Sequence, residues 1–139
     1  MTAVVLAGSR RVGVVERPDT VLGSGDVLVQ VPSSTLCRSD LSLYDGTPVV
    51  DGSPAGTGTI VPGQEASGEV AAPGPGVDGL AVGDRIAVHR AFGCDTCGWC
   101  LRGYRMRCAI CQCVGLDVDG GGNDPLASRQ STACPSRRR

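Results

Sequence analysis

The chain has 139 residues and a formal net charge of −1, and all thirteen of its basic residues are arginine, so no broad cationic face advertises nucleic acid. Its length suits one ordinary domain and excludes two full-sized ones. Twenty-one glycines and nine prolines against four aromatic residues describe short segments broken by frequent turns, which favours an all-β barrel or sandwich over a helix bundle.

The opening "MTAVVLAGSR" lacks the charged start and long apolar stretch of a secretory leader, and no apolar run reaches membrane-spanning length. The expected location is therefore cytoplasmic, with no membrane partner. "TAVVLA", "VGVVE" and "DVLVQV" are predicted strands, several alternating in period two. In "LCRSDLSLYDG", Ser39 or Asp40 caps a predicted short helix that turns Leu41 and Tyr44 inward and ends at Gly46. Cys37 then stands at a strand-to-helix corner, where side chains converge. Residues 47–59 read as loop, and "GEVAA" and "DRIAV" as further strands. "GPGVDG", Gly74 to Gly79, spells G-x-G-x-x-G, but Pro75 sits inside it and a strand follows, so it reads as a turn rather than a nucleotide site. His89, the sole histidine, belongs on a strand surface or an interface.

Eight cysteines in a reducing compartment are metal ligands or free thiols before they are disulfides. Cys94, Cys97, Cys100 and Cys108 follow C-x2-C-x2-C-x7-C in "CDTCGWCLRGYRMRC". Two-residue spacers let a tight turn aim successive sulfurs at one centre, and the seven-residue loop returns the fourth, as a tetrahedral zinc site requires. Four sulfurs leave no open position, so this zinc is structural; Arg90, Arg102, Arg105 and Arg107 are placed to offset its formal −2 charge. The rival iron–sulfur reading shares the C-x2-C-x2-C start but needs x3-C-P next, and here seven residues intervene and Ala109 follows. Cys111 and Cys113 read as packing or free thiols, and Cys134 has no assigned role.

The ordered markers "LCRSDL", "PGQEASGEV" and the four-cysteine lobe resemble the N-terminal, GroES-like catalytic domain of the zinc-dependent medium-chain alcohol dehydrogenases, over residues 1–121. The resemblance implies a mainly β, partly open GroES-like barrel with short helices and a zinc lobe at 90–111. It implies a structural zinc on Cys94, Cys97, Cys100 and Cys108, and a catalytic zinc for which Cys37 is the first ligand. By the same resemblance Ser39 relays the substrate proton, Asp40 is the acid behind the metal ligands, and Arg38 meets the cofactor pyrophosphate. The family's Gly-His-Glu stands here as Gly63-Gln64-Glu65, which puts a weak amide ligand in place of imidazole and leaves Glu65 as the substitute.

The implied whole-enzyme activity is NAD(P)-dependent oxidation of a small alcohol or polyol. The family continues into a Rossmann domain, which this sequence stops short of. Residues 122–139, "GNDPLASRQSTACPSRRR", lack strand alternation and read as a disordered, family-unlike tail; a truncated or out-of-frame reading is the simplest account. Two functions are compatible with these residues. One is the catalytic domain of an alcohol dehydrogenase-like oxidoreductase, incomplete by itself; the other is a non-catalytic zinc-stabilised β-domain or interaction module. A face that a Rossmann partner normally covers is expected to promote self-association.

Overall fold

The computed structural model describes residues 1–49 and 60–136; most of the loop expected at 47–59, and Arg137, Arg138 and Arg139, lie outside them. Every predicted strand is present. β1 (Thr2–Leu6) and β2 (Val12–Glu16) form an antiparallel pair, with Ala3, Val5 and Leu6 buried on β1. The long β3 (Asp26–Thr35) buries Val27, Val29 and Val31 at every second position, as period-two patterning dictates.

The chain then turns into helix α1 (Arg38–Asp45) and returns as β4 (Glu65–Pro73), which pairs antiparallel with β3, and as β5 (Arg85–Val88) beside β4. Gly68 of β4 faces the point where β3 bulges, and a Cβ there would run into the carbonyl oxygen of Gln30. Glycine is the residue that lets the two backbones close at this bend. The segment Gly74–Gly79 is a turn, held by Gly74 N donating to Asp26 O at 2.8 Å, and β5 rather than a helix follows it.

A two-stranded ribbon, β6 (Ala91–Phe92) and β7 (Gln112–Cys113), forms the base of the cysteine lobe; helix α2 (Gly98–Leu101) and a 3-10 turn (Arg105–Arg107) build its body. The end of the described chain departs from expectation. Residues 123–135 are not disordered but form β8 (Asn123–Asp124), β9 (Leu126–Arg129) and β10 (Ala133–Pro135). β8 extends the first sheet, in order β2-β1-β8; β10 and β9 take the two edges of the second, in order β10-β5-β4-β3-β9.

Asp124 ties the sheets together, accepting from Gln30 Nε2 at 2.8 Å and Val31 N at 3.2 Å. Leu126 is 1% exposed in the main core, with Val27, Val29, Val70, Ile86 and Phe92. The segment carries no strand pattern because its strands are short and all three pair on one side only, so few of its positions must be apolar. The result is a mainly β, curled half-barrel sheet with one lobe projecting from it. Among the described residues no helix is long and apolar enough to cross a membrane.

Candidate metal centres

The four predicted sulfurs of Cys94, Cys97, Cys100 and Cys108 converge, all within 4.8 Å of one another. Ligands on a tetrahedral zinc with bonds of about 2.3 Å sit roughly 3.8 Å apart, so these sulfurs lie within about an ångström of that geometry. The spacing works because Asp95 takes a left-handed conformation (φ 56) between the first two cysteines, and α2 begins at the next. Backbone amides already face sulfur: Cys97 N donates to Cys94 Sγ at 3.2 Å, and Cys100 N to Cys97 Sγ at 3.5 Å.

A hydroxyl from Thr96 reaches Cys94 Sγ at 3.4 Å, and donation from Thr96 pulls that thiol down to about 6. Burial pushes the Cys100 thiol up to about 12. One thiol is thus ready to ligate at neutral pH, while another holds its proton until a cation replaces it. A Cβ at Gly93 would overlap Cys100 Sγ, so the chain enters the lobe through the one residue that leaves the sulfur its space.

The arginines expected to offset the charge are divided in their tasks. Arg105 Nε pairs with Asp95 Oδ1 at 2.7 Å, whereas Arg102 and Arg107 lie 5.9 and 5.1 Å from the Trp99 ring centroid. Tyr104 meets the same ring edge-on at 6.4 Å. Burial pushes the Asp95 carboxyl up, but bonds from Ser131 and Arg105 and the charges of Arg105 and Arg129 outweigh it and hold it below the ordinary value. Ser131 and Arg129 belong to the segment expected to be disordered; it packs on the lobe, a link with no local signature in the sequence.

The second cluster forms where β3 ends and β4 begins. Thr35 stands opposite Glu65, which brings the Cys37 corner beside Gln64. Cys37, not Ser39 or Asp40, is the N-cap of α1: its sulfur accepts from Ser39 N at 3.3 Å, and Asp40 Oδ2 accepts from Cys37 N at 2.8 Å in a capping box. The helix turns Asp40 and Leu43 inward and leaves Leu41 56% exposed, because the capping box fixes Asp40 on the buried face and Leu43 lies three residues on along it. Ser39 Oγ lies 2.6 Å from Cys37 Sγ, and Gln64 Nε2 donates to the same hydroxyl.

Glu65 is not brought to this cluster. It is exposed on the other side of the strand from buried Gln64, and its carboxylate accepts from Thr35 Oγ1 at 2.6 Å. Arg38 is exposed at the helix start, and His89 is exposed, with Nδ1 accepting from Ala91 N at 3.2 Å, away from both clusters.

The donor chemistry separates the two centres. Four convergent thiols fit zinc closed to water. Cys37, Gln64 and Glu65 do not fit a catalytic zinc, since one good ligand is present, the amide points its nitrogen at Ser39, and the carboxylate is bonded elsewhere. Sequence reasoning also missed what fixes Gln64. Gly120 N, Gly121 N and Gly122 N donate to Val61 O, Gly63 O and Pro62 O at 2.8, 2.8 and 2.9 Å, clamping the loop that carries it.

The alcohol dehydrogenase GroES-like domain family matches residues 23–136 of this arrangement. The chain belongs to that family. The GroES-like domain is 37% identical over 122 residues to a zinc-type alcohol dehydrogenase B of Aspergillus flavus, covering 86% of this chain and 27% of the relative. It superposes on galactitol-1-phosphate dehydrogenase from Escherichia coli with a TM-score of 0.81 and 31% identity, over 97% of this chain and 38% of that one. A Sinorhizobium meliloti protein solved with NADP bound is similar over 96% of this chain and 37% of its own, with a TM-score of 0.77 and 26% identity. The GroES-like domain described here therefore spans well under half the length of each of these proteins.

Proposed function

We propose that this domain is the zinc-stabilised catalytic domain of an alcohol dehydrogenase-like oxidoreductase, whose whole-protein activity is NAD(P)-dependent oxidation of a small alcohol or polyol. The observation that carries the reading is the convergence of four sulfurs within 4.8 Å in a domain of this family. With zinc bound there, Cys94, Cys97, Cys100 and Cys108 fill every position. The ion then supplies a rigid cross-link and no Lewis acid. Ser39 and Asp40 are proposed as the proton-relay hydroxyl and the acid that positions the Cys37 corner, supported by the Cys37–Ser39 contact and the capping box.

A second reading, a zinc-stabilised β-domain without catalysis of its own, is favoured by one observation: Gln64, not a metal-binding side chain, completes the Cys37 corner. Trp99, the single tryptophan, sits in the cysteine lobe and reports on it. Zinc measured by native mass spectrometry is expected at one ion per chain, and chelation should change Trp99 fluorescence and lower the melting temperature. A metal-free chain with the same fluorescence and the same melt would refute the zinc reading. Alcohol-dependent reduction of NAD(P) by the purified chain then separates the two functions, turnover favouring the first and background the second. Exposed Leu36 and Leu41 beside the Cys37 corner support self-association, which light scattering over a concentration series reads directly.

A further inference from the structure

Gln64 has unfinished hydrogen bonding. It is 1% exposed, its Nε2 donates to Ser39 Oγ, and its Oε1 is buried with no partner. Ser39 Oγ also lies 2.6 Å from Cys37 Sγ, so the three side chains are joined from amide to hydroxyl to sulfur. The backbone that carries the amide is held in place. A Cβ at Gly115 would come within 3.1 Å of Gln64 Cγ, and the loop is clamped through Val61, Pro62 and Gly63 by the amides of the 120–122 glycines.

A divalent metal at this corner would need the Cys37 sulfur released from Ser39 and an oxygen, not an NH2, presented by residue 64. Glu65 supplies no replacement, because strand alternation sends it to the exposed side, where Thr35 holds it. Asp40 offers one oxygen at most, since its Oδ2 caps α1 and only the buried Oδ1 lacks a hydrogen-bond partner; with Cys37 that makes two donors, short of the three protein ligands that an open zinc site takes.

We propose that Gln64 makes the Cys37 corner a metal-free, hydrogen-bonded centre, so that the domain carries a single zinc and residue 64 decides between one metal and two. The four-cysteine zinc, on which the proposed function rests, serves only as an internal standard. Cys37 stays unligated when zinc is abundant, and an imidazole at position 64 reverses this by replacing a donor NH2 with a good zinc ligand.

The test is alkylation of the native chain with iodoacetamide, with and without excess zinc, and peptide mapping of Cys37, alongside zinc counts by native mass spectrometry. In the wild type, Cys37 is expected to label equally with and without zinc. In Gln64→His, zinc is expected to suppress Cys37 labelling and a second ion to bind, lost again in Gln64→His/Cys37→Ala. Circular dichroism and retention of the first zinc show that the variant is folded. Zinc protection of Cys37 in the wild type overturns the proposal. A folded Gln64→His chain whose Cys37 labelling ignores zinc overturns the role of residue 64. If the wild type binds no zinc at all, the four-cysteine reading fails instead, while unprotected Cys37 still supports a metal-free corner.

Discussion

Leu126 lies in a stretch with no strand signature, yet it is 1% exposed and paired with Val29 in the main core. Leu126→Ala removes three carbons, a transfer loss of roughly 2.4 kcal/mol at about 0.8 kcal/mol per methylene. The cavity left between Val27, Val29 and Phe92 adds to this, and truncations of buried leucine cost about 2.7–5 kcal/mol in all. Taking about 3 kcal/mol, and roughly 2–4 °C per kcal/mol in a domain of this size, the melting temperature should fall by about 6–12 °C.

That loss is a large share of the ~5–15 kcal/mol that holds a domain together, so the variant should also unfold at markedly lower urea. Thermal melts followed by circular dichroism in zinc-saturated buffer are the assay. Val82→Ala, at a position 69% exposed, is the control and should stay within about 0.5 kcal/mol of wild type. A Leu126→Ala chain that melts with the control would mean that β9 does not close the core and that the packing assigned to residues 123–135 is wrong.

Two further outcomes follow from the cysteine lobe. Gly93→Ala places a Cβ on Cys100 Sγ, so zinc should be lost or bound far more weakly while the sheet core stays folded; a full complement of zinc on dialysis would contradict the packing around that sulfur. Zinc affinity should rise with pH through the neutral range. Cys100, raised to about 12 by burial, still holds its proton there and must release it on binding, whereas Cys94, lowered to about 6, has mostly released its own. Competition with a chelator at pH 6.5 and 8 reads the effect, and an affinity independent of pH would show that the thiols are already ionised in the free lobe.

What the amino-acid sequence determined alone was the chemistry whose partners are close along the chain. Four cysteines in fifteen residues converge because short spacers restrict where the sulfurs can go. The strands β1 to β5 were legible because period-two patterning is a local signal, and α1 because a polar start and Gly46, at φ 78, bracket it. Even within α1 the inward residue was misjudged, since the choice between Leu41 and Leu43 depends on where the sheet lies and not on the helix.

Tertiary structure decided everything that joins distant segments. The contact of Gln30 with Asp124 spans 94 residues, and with the burial of Leu126 and the pairing of β10 with β5 it converts an unpatterned end into three sheet edges. The donor NH2 of Gln64 meets Ser39 across 25 residues, while Glu65, adjacent in the chain, faces away. A motif read along the line treats those two neighbours as interchangeable ligands. A strand places them on opposite sides, because side-chain direction reverses at every residue and the fold chooses which side is the inside.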